Sequence, residues 1–200
     1  MIRLPKWLPH SGLLFVALVS TLFTLHGCGG TLFKVKPVVE LPPLPESARS
    51  ASGNGITFRV APLLADEESQ ELFEANLPVA GLLPVRLELV YDGGQPVEIK
   101  RARLRLRDSE DREWTPVSAK QACSRILKSN GIYAYNPNSR KQFEKGLASY
   151  EIDLKTPLTA NERRQGFLFF QAPDKEPVKT SQGLTLIVER LPQPIVIKIN

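Results

Sequence analysis

The clearest pattern in the chain is at residues 83–91, where Val85, Leu87, Leu89 and Tyr91 fall on one side and Arg86 and Glu88 on the other. A period of two is that of a strand with one face in a core. Asp92-Gly93-Gly94 then marks a turn. The same period recurs at 56–63, with Ile56, Phe58 and Val60 in step, and within 96–107, which holds one or two strands. There Ala102, Leu104 and Leu106 alternate with Arg101, Arg103, Arg105 and Arg107. Further short strands are predicted at 113–117, 150–154, 167–171, 184–190 and 195–199.

Two regions follow a different rhythm. Residues 66–75 open on acids, as the start of a short helix favours. Ala119, Ala122, Cys123, Ile126 and Leu127 recur at helical spacing. Asn136, Pro137 and Gly146 mark the cap, first position and end of a second helix. A helical insertion at about 118–146 thus interrupts a series of seven or eight short strands. The series predicts a mainly β domain over 56–200, an antiparallel two-layer β-sandwich with a helical insertion, with a barrel as the alternative.

The first 27 residues have another character. Arg3 and Lys6 precede an apolar stretch from Leu13 to Leu25. That is the length of a secretory signal core and short of the ~20 residues a spanning helix needs. Leu25-His26-Gly27-Cys28 closes the stretch and resembles the lipobox of bacterial lipoproteins, with His26 where a small residue is usual. The resemblance implies diacylglycerol on the Cys28 thiol, cleavage before it, and fatty acylation of the new amino group. Gly29 in place of an aspartate implies sorting to the outer membrane, facing the periplasm. Gly166-Phe-Leu-Phe-Phe-Gln-Ala-Pro173 and Leu83-Pro84-Val85 are similar to core strands of immunoglobulin-like domains in bacterial lipoproteins. That implies an immunoglobulin-like sandwich.

Residues 28–55 carry Pro37, Pro42, Pro43 and Pro45, then a Ser/Ala/Gly-rich run. This composition predicts a tether, extended and then flexible, that at ~3 Å per residue lifts the domain tens of ångströms from the membrane.

Charge and rare residues exclude several functions. Without Arg3 and Lys6 the chain holds 24 basic and 21 acidic residues, a net +3 that is too mild for nucleic acid. Cys123 then has no disulfide partner, and its helical position predicts a buried small hydrophobe. Both histidines, His10 and His26, precede Cys28, so the exported part has no histidine for a triad or a usual zinc site. No cofactor is expected. Asp108, Glu110, Asp111 and Glu113 offer oxygens to calcium, but at the spacing of a solvated turn.

The expected function is a lipid-anchored, non-catalytic binding or structural module of the cell envelope. Its expected recognition surface joins the arginine stripe of Arg101, Arg103, Arg105 and Arg107 to Tyr133, Tyr135, Arg140 and Lys141 of the insertion. Guanidinium groups and aromatic rings suit an anionic polymer or an envelope protein. The alternatives are a histidine-free carboxylate enzyme acting on cell-wall glycans, with Glu88 and Glu98 as its acids, and an accessory subunit of an envelope transport or assembly machine.

Overall fold

A computed structural model describes residues 32–178 and 182–200. The expected signal segment and Cys28 lie outside the described residues. The strands are β1 (Arg49–Gly53), β2 (Ile56–Pro62), β3 (Leu82–Tyr91), β4 (Arg103–Arg107), β5 (Glu113–Val117), β6 (Glu162–Gln171), β7 (Thr185–Glu189) and β8 (Ile195–Lys198). The helices are α1 (Asp66–Phe73), α2 (Ala119–Ser129) and α3 (Pro137–Tyr150), with one 3-10 turn at Val38–Glu40. No helix among the described residues is long and apolar enough to cross a membrane.

The fold is mainly antiparallel β, with α2 and α3 inserted between β5 and β6. The strands form one sheet in the order β1-β2-β3-β6-β5-β4-β7-β8. The sheet is continuous because β5 changes partner along its length. Trp114 pairs with Leu106 of β4, whereas Thr115, Pro116 and Val117 pair with β6. The sheet also curls until its two ends nearly meet. Asn54 Nδ2 donates to the Gln193 carbonyl at 3.1 Å, and a β-carbon on Gly53 would lie 3.0 Å from Ile195 Cγ1. The result is a nearly closed, barrel-like arrangement, and periodicity alone does not reveal which strand edges meet.

Two cores follow from the alternation. Leu83, Val85, Leu87 and Leu89 point to the interior with Ile56, Phe58, Leu106, Leu186 and Ile197. The other face of β3 and β6 is covered as well. Leu82, Phe167 and Phe169 pack there against Phe73 of α1, Ile126 of α2, and Phe143, Leu147 and Tyr150 of α3. The middle of the sheet is therefore buried on both sides. Arg86 and Glu88, on the polar side of the alternation, are only 4% and 2% exposed.

Several sequence expectations are corrected. Residues 32–55 are part of the domain, not a tether. Phe33, Val35, Val38 and Leu41 pack on the helical core, Leu44 is buried, and residues 49–53 form β1. Gly146 does not end a helix. Asn136 caps α3 as expected, accepting from the N–H groups of Asn138 and Ser139, but α3 runs on to Tyr150. Gly146 is instead a crossing point, where a β-carbon would lie 2.8 Å from Val35 Cβ. The strand expected at 150–154 is reduced to one bridge from Glu151 to Phe167, because Tyr150 still belongs to the helix. Within 96–107, only Arg103–Arg107 is a strand, and Val97 makes an isolated bridge to Leu158.

Candidate functional site

The arginine stripe forms with the expected alternation, Leu104 and Leu106 buried and Arg103, Arg105 and Arg107 on the other side. Arg101 precedes the strand. Neighbouring strands supply counter-charges that the local sequence does not reveal. Arg105 is held by Glu113 of β5 and, at 3.1 Å, by Glu189 of β7. The hydrogen bond that Arg105 donates to Glu113 raises the Arg105 pKa against a smaller desolvation, and the same contact lowers that of Glu113. Arg107 pairs with Asp111 at 2.7 Å. Two of the four stripe arginines, Arg105 and Arg107, are thus engaged in ion pairs.

The acids at 108–113 are similarly engaged. Asp108 organises its turn, accepting from the N–H groups of Glu110 and Arg112 (both 3.0 Å), Arg112 Nε (2.9 Å) and Trp114 Nε1 (3.4 Å). Burial works to raise its pKa, but these donors, led by the Arg112 N–H, bring it below the usual value. Among the described residues no three His, Cys, Asp or Glu side chains are grouped to hold a metal ion. Glu88 and Glu98 are each held by basic side chains. Glu88 is bound by Arg59 (2.7 Å) and Arg163 (2.5 Å), and Glu98 by Lys100 (3.3 Å).

The insertion places Tyr133 in solvent, 84% exposed. Tyr135 is half-buried, its ring edge-on to Phe33 and its hydroxyl accepting from the Leu32 N–H at 3.1 Å. Arg140 donates to Ser124 at 2.7 Å, and Lys141 is exposed. This layer lies over β3 and β6, whereas the stripe sits on β4 beyond β5. The structure does not bring the two halves of the expected surface together.

It brings together another set. On α2, Lys120, Ser124 and Lys128 follow one another at four-residue intervals, which places them on one helix face. Arg125 lies beside them. It donates through Nε to the Ala80 carbonyl at 2.9 Å and through Nη2 to the Lys175 carbonyl. These bonds hold the loop before β3 and the loop after β6 against the helix. Gly81 makes the approach feasible, with φ +69 and a site where a β-carbon would lie 2.6 Å from the Glu176 carbonyl. The groove so formed has a volume of about 440 Å³ and is lined by Lys120, Arg125, Lys128 and Lys175 with no acid. None of the four cations forms an ion pair among the described residues. The lysine spacing on α2 was legible in the sequence. The contribution of Lys175, 47 positions beyond Lys128, depends on the tertiary fold.

On the opposite side of α2, Cys123 is fully buried, and burial pushes its thiol pKa up to about 11. A thiol so placed stays protonated and unreactive.

No protein-family model matches the chain, and no curated protein matches it in sequence. Among solved structures, the chain is similar to a conserved hypothetical protein from Bacillus anthracis, with 13% sequence identity, a TM-score of 0.37, and coverage of 74% of this chain and 92% of that chain.

Proposed function

We propose that this chain is a lipid-anchored lipoprotein of the cell envelope, held by acyl groups on Cys28 at the outer membrane and facing the periplasm. Its domain is a non-catalytic binding module, and the α2 groove is its contact surface for phosphate-bearing headgroups or polymer. The observation that carries this reading is the lipobox Leu25-His26-Gly27-Cys28 only four residues before the packed domain begins at Leu32. Four extended residues span at most about 14 Å. An anchor at Cys28 therefore keeps the domain beside the bilayer, where each lysine near an anionic surface contributes about 1 kcal/mol.

The finer fold reading belongs to the same proposal. Taken without β1, the strands fall into β2-β3-β6-β5 and β4-β7-β8. That is the order of the ABED and CFG sheets of an immunoglobulin constant-type domain. It supports an immunoglobulin-like sandwich in which β1 extends the first sheet and α2 and α3 lie between the fourth and fifth strands.

Two measurements test the proposal. The intact mass of protein extracted from membranes is expected to match Cys28 to Asn200 plus acyl groups. A mass starting at Met1 without lipid would refute the anchor. On vesicles containing anionic lipid, Lys120→Gln with Lys128→Gln is expected to weaken binding about 30-fold, from ~1 kcal/mol per lysine. Arg103→Gln with Arg105→Gln is expected to leave it unchanged. The reverse ranking would return the contact surface to the stripe.

A further inference from the structure

We infer that the cavity beneath residues 41–45 is a binding site for a small organic carboxylate with an apolar body. The inference is independent of the lipid anchor. The cavity measures about 290 Å³ and lies between the Pro-rich segment, α1 and the start of the sheet. Leu41, Pro43, Ala61, Leu72 and Phe167 give it apolar walls, and Arg86 of β3 is its buried cation.

The bonding of Arg86 is incomplete. Nη1 donates to the Pro43 carbonyl at 3.3 Å and Nη2 to Gln165 Oε1 at 3.0 Å. Nε is buried with no acceptor. Both acceptors are neutral. Glu88, two residues along the strand, is already held by Arg59 and Arg163. Burial pulls the Arg86 pKa down, against smaller opposing effects of Glu88 and Tyr150. A buried charge without an ion-pair partner is costly. A neutral donor would hold the Pro43 carbonyl as well. A guanidinium at the edge of an apolar cavity is suited instead to a carboxylate, which accepts from it in two places.

The other charges decide between anions. Glu68 and Glu71 also line the cavity, with Lys36 held by Glu71 at 3.0 Å. Acids so placed disfavour a doubly charged phosphate more than a singly charged carboxylate. The volume is at the small end for ligand pockets, which fits an apolar body of about ten non-hydrogen atoms.

The test uses the purified full chain in nanodiscs of zwitterionic lipid, with empty nanodiscs as control. Benzoate, its neutral isostere benzamide and phenyl phosphate are compared by calorimetry and ligand-detected NMR. Benzoate is expected to bind at least tenfold more tightly than either of the others, about 1.4 kcal/mol. Arg86→Gln is expected to abolish the preference for benzoate over benzamide. Ala61→Leu, which fills the cavity and keeps Arg86, is expected to abolish binding of both. Equal affinity for benzoate and benzamide, tighter binding of phenyl phosphate, or no benzoate binding by about 10 mM would overturn the inference. The comparison of the three ligands on the unaltered chain decides the matter even if a variant fails to fold. Because no anionic vesicle is involved, failure here is separate from failure of the anchor or the α2 groove.

Discussion

A chain cut to begin at Ile56 is expected to lose its cooperative unfolding transition and to aggregate, whereas one beginning at Leu32 keeps both fold and solubility. A tether would be dispensable. Residues 32–55, however, contribute β1, the buried Leu44, and Phe33 stacked on Phe143 with ring centroids 4.7 Å apart. Fully burying a large apolar side chain contributes about 1.5–3 kcal/mol. Leu44 with the partly buried Phe33, Val35, Val38 and Leu41 then accounts for roughly 5 kcal/mol, an upper estimate for an extended unfolded chain. Domains of this kind are stable by only ~5–15 kcal/mol in all. The cut also leaves β2 as an edge strand, uncovering a ladder that pairs with other chains. Urea unfolding and size-exclusion chromatography of the two truncations check this. A chain from Ile56 that unfolds at the same urea midpoint as one from Leu32 would show that the segment merely rests on the domain.

The composition of that segment does not disclose its packing, for a physical reason. Proline, serine and glycine describe how stiff an isolated chain is, and the packing of Phe33, Val35 and Leu44 follows no simple period. β1 is Arg-Ser-Ala-Ser-Gly and has almost no apolar alternation of its own. Its register comes from β2, with Ala51 opposite Phe58 and a hydroxyl contact of 2.8 Å between Ser52 and Thr57. One signal was nevertheless present. Asn54-Gly55 has φ of +57 and +76, and Asn-Gly before a strand is the strongest short-range mark of a hairpin. Alternation located β2, β3, β4 and β7 well, because one face of each meets a core. It could not show that the helical insertion covers the second face of β3. For the same reason the arginines of β4 were legible and one of their acids was not, since Glu189 reaches Arg105 from 84 positions away.

The buried charge on β3 leads to the second large effect. Glu88→Gln is expected to destabilise the domain by about 2–3 kcal/mol at neutral pH, the low side for a broken buried ion pair because Arg163 is itself 64% exposed. For a domain of this size that is roughly 5–10 °C in Tm. The loss has a definite pH dependence. Burial works to raise the Glu88 pKa, but the hydrogen bonds from Arg163 and Arg59 outweigh it and hold the carboxyl below its usual 4.5. The folded state thus binds this proton less readily than the unfolded chain. The contribution is full above the unfolded value and is lost as pH falls through the folded one. Thermal unfolding of the two proteins should therefore differ most near neutrality and converge on acidification. Asp108 also has a lowered pKa and is untouched by the substitution, so both proteins keep a common acid-dependent loss. A Tm difference that stays constant down to strongly acid pH would assign the Glu88 effect to packing. Convergence would assign it to the ion pairs with Arg59 and Arg163.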